Sequence, residues 1–135
     1  MTQPLPVVLD TNAILMPFTE GARLEELLEE LLDAPYAMHV PTSVLSELKN
    51  LMKNRGELGR AAKMAVKFSE RCASEPTGRM GDDGILEVAR RLGGIVLTND
   101  KKLQAECQKS GLRVIVARQQ GRLAFLKAGS GGRSD

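Results

Sequence analysis

The chain is poor in the residues on which several common kinds of active site depend. Its 135 residues include one histidine, two cysteines, one tyrosine, three phenylalanines and no tryptophan. The single histidine, His39, excludes Ser-His-Asp and Cys-His catalysis unless this one residue serves, and its place in a predicted strand favours a structural role. So few aromatic residues predict little readout of nucleic-acid bases by stacking.

The sequence also has few cysteines, no long apolar run and no pattern of a leader segment. Cys72 and Cys107 are too few for a disulfide framework, so we expect two buried thiols in a reducing cytoplasm. No apolar run approaches the roughly 18 residues of a membrane span, and we expect no membrane partner. The first six residues show neither a charged leader nor a long apolar segment, which predicts no signal peptide.

The net charge is only +2, which excludes a protein that coats nucleic acid through an overall basic surface. The charge is nevertheless unevenly distributed. One segment is acidic, and a later one is basic, with cations spaced along the outer face of a predicted helix. The acidic residues are Glu25, Glu26, Glu29, Glu30 and Asp33, and the basic ones are Lys49, Lys53, Arg55, Arg60, Lys63, Lys67 and Arg71.

Short apolar runs alternate with amphipathic stretches along most of the chain. The runs predict strands at 6–10, 36–40, 95–98 and 113–117, and segment 74–81 reads as a loop with at most a brief strand. Between them the apolar spacing predicts helices at 11–17, 22–34, 42–54, 57–73, 82–92 and 101–110. This alternation predicts parallel β-α-β units, hence an α/β fold: a three-layer α/β/α sandwich with a mostly parallel sheet of about four to five strands.

The length suits one domain. We assign residues 1–117 to it and residues 118–135 to a basic C-terminal tail that is Gly/Ser-rich from Gly129.

Four acidic residues fall where a parallel sheet would bring them together. Asp10 closes the first strand, and Asp100 follows the fourth. Glu47 lies near the start of the helix after the second strand, and Asp82 opens the helix that leads to the fourth strand. Functional groups of open α/β sheets gather beyond the carboxyl ends of the strands, so we expect these four carboxylates to converge.

A cluster of carboxylates favours a hard divalent cation, because like charges repel and raise one another's pKa. Mg²⁺ or Mn²⁺ takes oxygen ligands, keeps several waters and is held by few carboxylates together with a substrate phosphate. A water activated at such a site attacks phosphorus in line while the cation stabilises the leaving oxygen. Taken singly, however, Asp10, Asp82, Asp83 and Asp100 are better explained as helix caps, and Glu47 as a solvated helix residue. Their joint occurrence favours the metal site.

The motifs around these acids resemble those of the PIN domain, the nuclease family of VapC toxins and of eukaryotic RNA-processing factors. Val8-Leu9-Asp10-Thr11-Asn12 is similar to the opening strand, and Pro41-Thr42-Ser43-Val44-Leu45-Ser46-Glu47-Leu48 to the second motif. Residues 82–89 look like the third motif of the family, and Thr98-Asn99-Asp100 is similar to the closing motif. The resemblance covers residues 7–117.

The resemblance implies a role for each residue in these motifs. Counting from Asp82 places Ile85, Ala89 and Thr98 at the spacing usual in the family, which makes Asp82 the third acid and Asp83 a helper or cap. The implied catalytic residues are Asp10, Glu47, Asp82 and Asp100, and the implied metal ligands are Asp10, Asp82 and Asp100. Thr11, Asn12, Thr98 and Asn99 would support them by hydrogen bonds.

The function implied by the resemblance is that of an endoribonuclease dependent on Mg²⁺ or Mn²⁺. Ile14-Leu15-Met16-Pro17-Phe18 and the segment 59–62 look most like archaeal relatives of the small-subunit processome nuclease, which implies ribosomal RNA processing and a ribosome-assembly partner. Phosphate contacts are expected from exposed cations, although a solvated helix face explains the outermost equally well. These are Lys49, Lys53, Arg60, Lys63 and Lys67.

Other functions remain open. A VapC-type toxin would pair with an antitoxin, and a scaffold would bind RNA without cutting it. A phosphatase of the haloacid type would need an aspartate at position 12, where this chain has Asn12. Self-association is common in the family, and the Leu-rich segment 24–32 is a candidate surface for a homodimer.

Overall fold

The computed structural model describes residues 3–127. Strands and helices alternate along this part of the chain, in agreement with the periodicity of its apolar residues. The strands are β1 (Leu5–Leu9), β2 (Tyr36–Pro41), β3 (Ala73–Glu75), β4 (Ile95–Leu97), β5 (Val114–Ala117) and β6 (Leu123–Phe125). The helices are α1 (Thr11–Thr19), α2 (Leu24–Leu32), α3 (Thr42–Leu51), α4 (Glu57–Ser69), α5 (Gly81–Leu92) and α6 (Lys101–Lys109).

The strands form one sheet in the order β3-β2-β1-β4-β5-β6. The first five run parallel, and only β6 runs antiparallel to its neighbour β5. The order proceeds outward from β1 in one direction and from β4 in the other. The switch point therefore lies between β1 and β4, where Val8 pairs with Val96 and Leu9 with Leu97. Ligand sites of open α/β sheets lie beyond the carboxyl ends of the strands at such a point.

The predicted α/β sandwich with a mostly parallel sheet is confirmed, with six strands in place of four to five. The additional strand β6 lies in the segment 118–135, which was predicted to be a tail. Residues 119–121 form a tight turn in which Gln120 and Gly121 have positive φ, and the Leu126 N–H donates to the Val114 carbonyl. Three apolar residues without periodic neighbours are too short a signal to predict this strand. The predicted Gly/Ser-rich stretch from Gly129 lies outside the described residues.

The core is built around the two central strands. Val7, Val8 and Leu9 of β1 and the whole of β4 are buried. Strands covered on both faces read as continuous apolar runs, which is why both were recognisable in the sequence. Helix α5 ends at Gly93, whose φ of 62° is left-handed, as the Gly93-Gly94 pair predicts. No helix within residues 3–127 combines the length and the apolar character that a membrane crossing requires.

Both cysteines are free thiols, and His39 lies in β2 as predicted. Cys107 is buried and Cys72 half-buried. Burial raises the pKa of each thiol to about 11, so both stay protonated at neutral pH. His39 Nδ1 lies 2.8 Å from Glu75 Oε2, and Arg91 donates to the other oxygen of Glu75. These contacts join β2, β3 and α5, which gives His39 a structural role.

Candidate functional site

Asp10 lies at the switch point of the sheet and is buried, with 6% of its surface exposed. It follows β1 directly, and its backbone N–H donates to the Leu97 carbonyl at the end of β4. Its Oδ1 accepts the Ala13 N–H at 2.7 Å, and Asp10 is the N-cap of α1. The cap accounts for one of the two carboxylate oxygens.

The pKa of Asp10 is raised to about 6. Burial is the largest cause, because desolvation disfavours the charged form. Hydrogen bonding by the Thr98 side chain and the Ala13 N–H lowers the pKa, and the nearby charges of Asp82 and Asp100 raise it further. Ionised Asp10 is therefore costly in the folded protein, and a cation placed beside it would relieve that cost.

Glu47 reaches the same edge from the first turns of α3. The Thr11 hydroxyl donates to Glu47 Oε1 at 2.7 Å, which joins the start of α1 to α3. Residue 47 is exposed, so its second oxygen faces solvent at the edge of the sheet. Thr11 is itself buried, which fixes the position from which it donates.

Asp82 and Asp83 occupy the first turn of α5 and are exposed. The pKa of Asp82 is raised, first by burial of the carboxyl group and next by the charge of Asp100, while Lys102 lowers it. Glu47 and Asp83 raise the same pKa. Together with the effects on Asp10, these interactions show that the predicted acids share one electrostatic environment.

Asp100 resembles Asp10 in its backbone contacts. Its Oδ1 accepts the N–H groups of Lys102 at 2.9 Å and Leu103 at 3.1 Å, and it is the N-cap of α6. The Thr98 hydroxyl accepts the Asp100 N–H. The side chain of Asn99 turns away from the acids, since it exchanges two hydrogen bonds with the backbone of Ala117 and ties the end of β4 to the end of β5.

The close approach of α3 and α5 was not predicted from the sequence. A Cβ atom on Gly84 would lie 2.6 Å from Ser43 Oγ and 2.7 Å from the Arg79 carbonyl oxygen. Gly84 follows Asp82 by two residues, and Ser43 precedes Glu47 by four. The absent side chain therefore sets the spacing of the two helices that carry these acids. The only sequence signal is a glycine inside a helix, where it is otherwise unfavourable.

The five predicted RNA-binding cations are all exposed. They lie on α3, on the connection to α4 and along α4, and none of them forms an ion pair within residues 3–127. They are Lys49, Lys53, Arg60, Lys63 and Lys67. Arg71, at the end of the same stripe, is instead paired with Glu25 at 2.8 Å.

The acids do not form a closed ligand cage. In the described part of the chain, no three carboxylate, imidazole or thiol side chains are close enough to make a ready metal-binding group. Caps hold one oxygen each of Asp10 and Asp100, and Thr11 holds one of Glu47. A donor set of this kind suits a cation that keeps its waters and takes one or two carboxylates plus a substrate phosphate. The ligand set Asp10, Asp82 and Asp100 stays a prediction.

A cleft of about 470 Å³ opens beside Asp10, at the carboxyl ends of β1, β4 and β5. Its walls include the side chains of Leu15, Met16 and Leu58, and Asn12 and Arg118 lie among its polar lining residues. Of these polar residues Asn12 was predicted to support the site. Leu58 and Arg118 were not predicted, because isolated residues outside the motifs give no signal of a shared cleft.

Comparisons with known proteins agree with this architecture. A family described as a PIN like domain matches residues 7–120. Ribonuclease VapC9 of Archaeoglobus fulgidus is 32% identical over 108 residues, which cover 79% of this chain and 78% of that protein. The PIN domain endonuclease Utp24 has a similar structure, with a TM-score of 0.74, 25% identity and coverage of 90% of this chain and 91% of that one.

A second solved structure shares the fold alone. It is a domain of a functionally unknown protein from Methanocaldococcus jannaschii, with a TM-score of 0.64 and 20% identity, covering 91% of this chain and 98% of that chain. The resemblance drawn from the four acidic motifs is confirmed, and the chain belongs to the PIN like domain family.

Proposed function

We propose that this protein is a metal-dependent endoribonuclease that hydrolyses phosphodiester bonds of RNA. The observation that carries the proposal is the buried Asp10 at the switch point, with its pKa raised and with Asp82 and Asp100 near enough to raise it further. Such perturbation of clustered acids is typical of functional sites. The relatives named Ribonuclease VapC9 and PIN domain endonuclease Utp24 support the same reaction class.

We assign the cation site to Asp10 and Asp82, completed by Asp100. Bound Mg²⁺ or Mn²⁺ would supply the positive charge that polarises the phosphate and stabilises the leaving oxygen. Glu47 keeps one oxygen free while Thr11 fixes the other, so it is placed to orient a water molecule and accept its proton. The exposed cations of α3 and α4 would hold neighbouring phosphates of the RNA.

Cleavage of a mixed single-stranded RNA in Mn²⁺ or Mg²⁺ tests the reaction. We expect cutting by the natural sequence and loss of cutting with Asp10→Asn, which keeps the helix cap while removing the charge. Asp33→Asn makes the same chemical change at the exposed C-cap of α2 and should leave cleavage unaltered. If neither cation supports cleavage, or if Asp10→Asn cuts normally, the nuclease assignment is wrong.

Thermal unfolding tests the cation site without any reaction. A cation that binds only the folded state raises its stability, by about 2.7 kcal/mol at a concentration of 100 Kd. We expect Mn²⁺ to raise the Tm of the natural sequence and of Asp33→Asn but not that of Asp10→Asn. An equal rise in all three proteins would place the cation elsewhere.

For the biological role, we propose processing of ribosomal RNA together with a ribosome-assembly partner, because the segments 14–18 and 59–62 resemble archaeal relatives of the small-subunit processome nuclease. The structural likeness to the PIN domain endonuclease Utp24 supports the reaction class. The identity with Ribonuclease VapC9 favours a second candidate, a toxin inhibited by an antitoxin. Controlled expression in a host cell separates the two. A toxin would arrest growth through Asp10 with general loss of RNA, whereas a processing enzyme would leave growth intact and cut only particular precursor sites.

A third candidate function, a non-catalytic RNA-binding scaffold, predicts a different result in these experiments. It would bind RNA equally well as the natural sequence and as Asp10→Asn, with no cutting by either.

A further inference from the structure

The cleft beside Asp10 combines an acidic end with aliphatic walls. Leu58, from the first turn of α4, is 40% exposed and lines this cleft together with the largely buried Leu15 and Met16 of α1. Within residues 3–127 the other exposed large hydrophobic side chains are Met64 and Met80, and neither of them lines the cleft. An isolated exposed leucine needs no explanation, but one that completes an apolar wall beside a buried carboxylate does.

The cleft is also lined by polar side chains that could bind a phosphate or form hydrogen bonds. Arg118 follows β5 and is exposed, and Asn12 is exposed at the start of α1. The cleft therefore has an arginine for a phosphate and an amide that both donates and accepts, beside its apolar lining. Glu20 also lines the cleft and is exposed. Its volume of about 470 Å³ lies within the range of sites that hold a small organic group.

We propose that this cleft is a nucleobase subsite, which holds the unpaired base of a nucleotide adjoining the scissile phosphate of RNA. The inference rests on the proposed nuclease function and names the group that this cleft would hold. The base packs between Leu58 and the α1 side chains Leu15 and Met16, and Arg118 contacts the backbone phosphate on the outer side. The phosphate to be cut then lies at the Asp10 end.

The continuity of the cleft with Asp10 selects this occupant. A group bound there lies beside the candidate catalytic acids and also contacts an apolar surface. A nucleotide whose base is unstacked fits both requirements, because its phosphate would lie near the acids and its base in the cleft. A base in a duplex is paired and turned inward, so a paired RNA cannot fill the cleft without flipping. Aliphatic walls accept every base, which predicts a requirement for single strands with weak preference for sequence.

A chemical double-mutant cycle tests the contact between Leu58 and a base. Binding is measured in Mn²⁺ in an Asp82→Asn background, which blocks cutting and leaves the lining of the cleft intact. The probes are short single-stranded oligouridine RNAs with one abasic nucleotide placed at each position in turn. With Leu58 present, we expect one abasic position to raise the Kd roughly tenfold, the change that a loss of about 1.4 kcal/mol produces.

With Leu58→Ala the complete RNA should itself bind more weakly, and the same abasic position should raise the Kd less than about twofold, since the energies of contacting groups are not additive. Leu58→Phe, which offers a ring for stacking, should bind the complete RNA more tightly. Met64→Ala removes a more exposed side chain, outside the cleft, from the same helix and should keep the full abasic effect.

Two results would overturn the subsite. A tenfold abasic effect that survives Leu58→Ala would show that the base is bound away from Leu58 and not in this cleft. Equal binding of a fully paired RNA and a single strand would also exclude it. Failure of the natural sequence to cut any RNA would contradict the proposed function instead, and the binding cycle would still report on the cleft.

Discussion

The two central strands end in similar sequences but create different environments for their aspartates. Val7-Val8-Leu9-Asp10-Thr11-Asn12 places the acid directly after β1, whereas Ile95-Val96-Leu97-Thr98-Asn99-Asp100 places it three residues after β4. Both aspartates cap the next helix by accepting backbone N–H groups through Oδ1. Helix capping therefore explains both acids equally and cannot by itself mark either as functional.

Burial separates them. Asp10 is almost fully enclosed and its pKa rises to about 6, while Asp100 is exposed. A cap at the surface contributes the same hydrogen bonds without the desolvation cost, so burial of Asp10 is unnecessary for capping. Burial of the Asp10 carboxylate directly after a strand lowers the stability of the folded protein. The proposed nuclease function explains why an acid lies there, because a bound cation would need it.

The largest effect should appear when the two acids are exchanged for asparagine one at a time. We expect Asp10→Asn to lower the rate of RNA cleavage roughly 10³-fold, comparable to removing a principal electrostatic group from an active site. Asp100→Asn should lower it less, roughly tenfold to 100-fold, because Asp100 is exposed and only completes the cation site that Asp10 and Asp82 hold. Single-turnover cleavage at saturating Mn²⁺ measures both. Equal losses would show that burial does not distinguish the two strand ends.

Stability should change in the opposite direction. The folded-state pKa of Asp10 is about 6, against about 3.9 for an aspartate in an unfolded chain. Between these values the unfolded state releases a proton that the folded state keeps, so the free energy of unfolding falls as the pH rises. The full cost, about 3 kcal/mol, is reached above pH 6, from a shift of roughly two units at 1.36 kcal/mol each.

Asp10→Asn in the metal-free protein should therefore be more stable than the natural sequence at pH 7, by up to about 3 kcal/mol, with the gain vanishing near pH 4. The free energy of unfolding of Asp100→Asn should stay within about 0.5 kcal/mol of that of the natural sequence, both at pH 7 and near pH 4. Urea unfolding across this range measures the difference. Glu75, whose pKa is lowered chiefly by its hydrogen bond with His39, contributes stability that is lost only as the pH falls further.

The two strand ends also show how far sequence alone leads. Apolar runs followed by acids predicted β1, β4 and the edge at which Asp10, Glu47, Asp82 and Asp100 gather, because strand direction places these positions whatever the side-chain details. Burial and hydrogen bonding of a given side chain depend on distant residues. The bond from Thr11 to Glu47 spans 36 positions and has no local signature.

Strand β6 and the cleft were not predicted, because both depend on residues that are distant in the sequence. The strand forms only because a turn at Gln120 and Gly121 returns the chain to the edge of β5. The cleft draws its lining from four separate segments of the chain.

A change at Gly84 should disturb both strand ends by moving their shared neighbour Asp82. Gly84→Ala improves helix propensity by about 1 kcal/mol, yet its Cβ would collide with Ser43 and with the Arg79 backbone, and overpacking costs about 1–3 kcal/mol. We expect lower stability and roughly tenfold slower cleavage, since a misplaced group of this kind weakens positioning. Gly78→Ala, which meets no atom within 4 Å, is the matched control.

Adding Ser43→Gly to Gly84→Ala should restore part of the rate, because it clears the hydroxyl but not the Arg79 carbonyl. A double variant no better than Gly84→Ala would place the obstruction entirely on the backbone.

The smallest effect should come from the two threonines, which occupy opposite sides of their aspartates. Thr98→Val removes the side chain whose hydrogen bonding lowers the pKa of Asp10, so that pKa should rise further, by less than about one unit. Thr11→Val frees Glu47 and should slow cleavage while leaving the pKa of Asp10 unaltered. Titration of the Asp10 carboxyl carbon by NMR in the metal-free protein distinguishes them. A shift with Thr11→Val and none with Thr98→Val would reverse the roles of the two threonines.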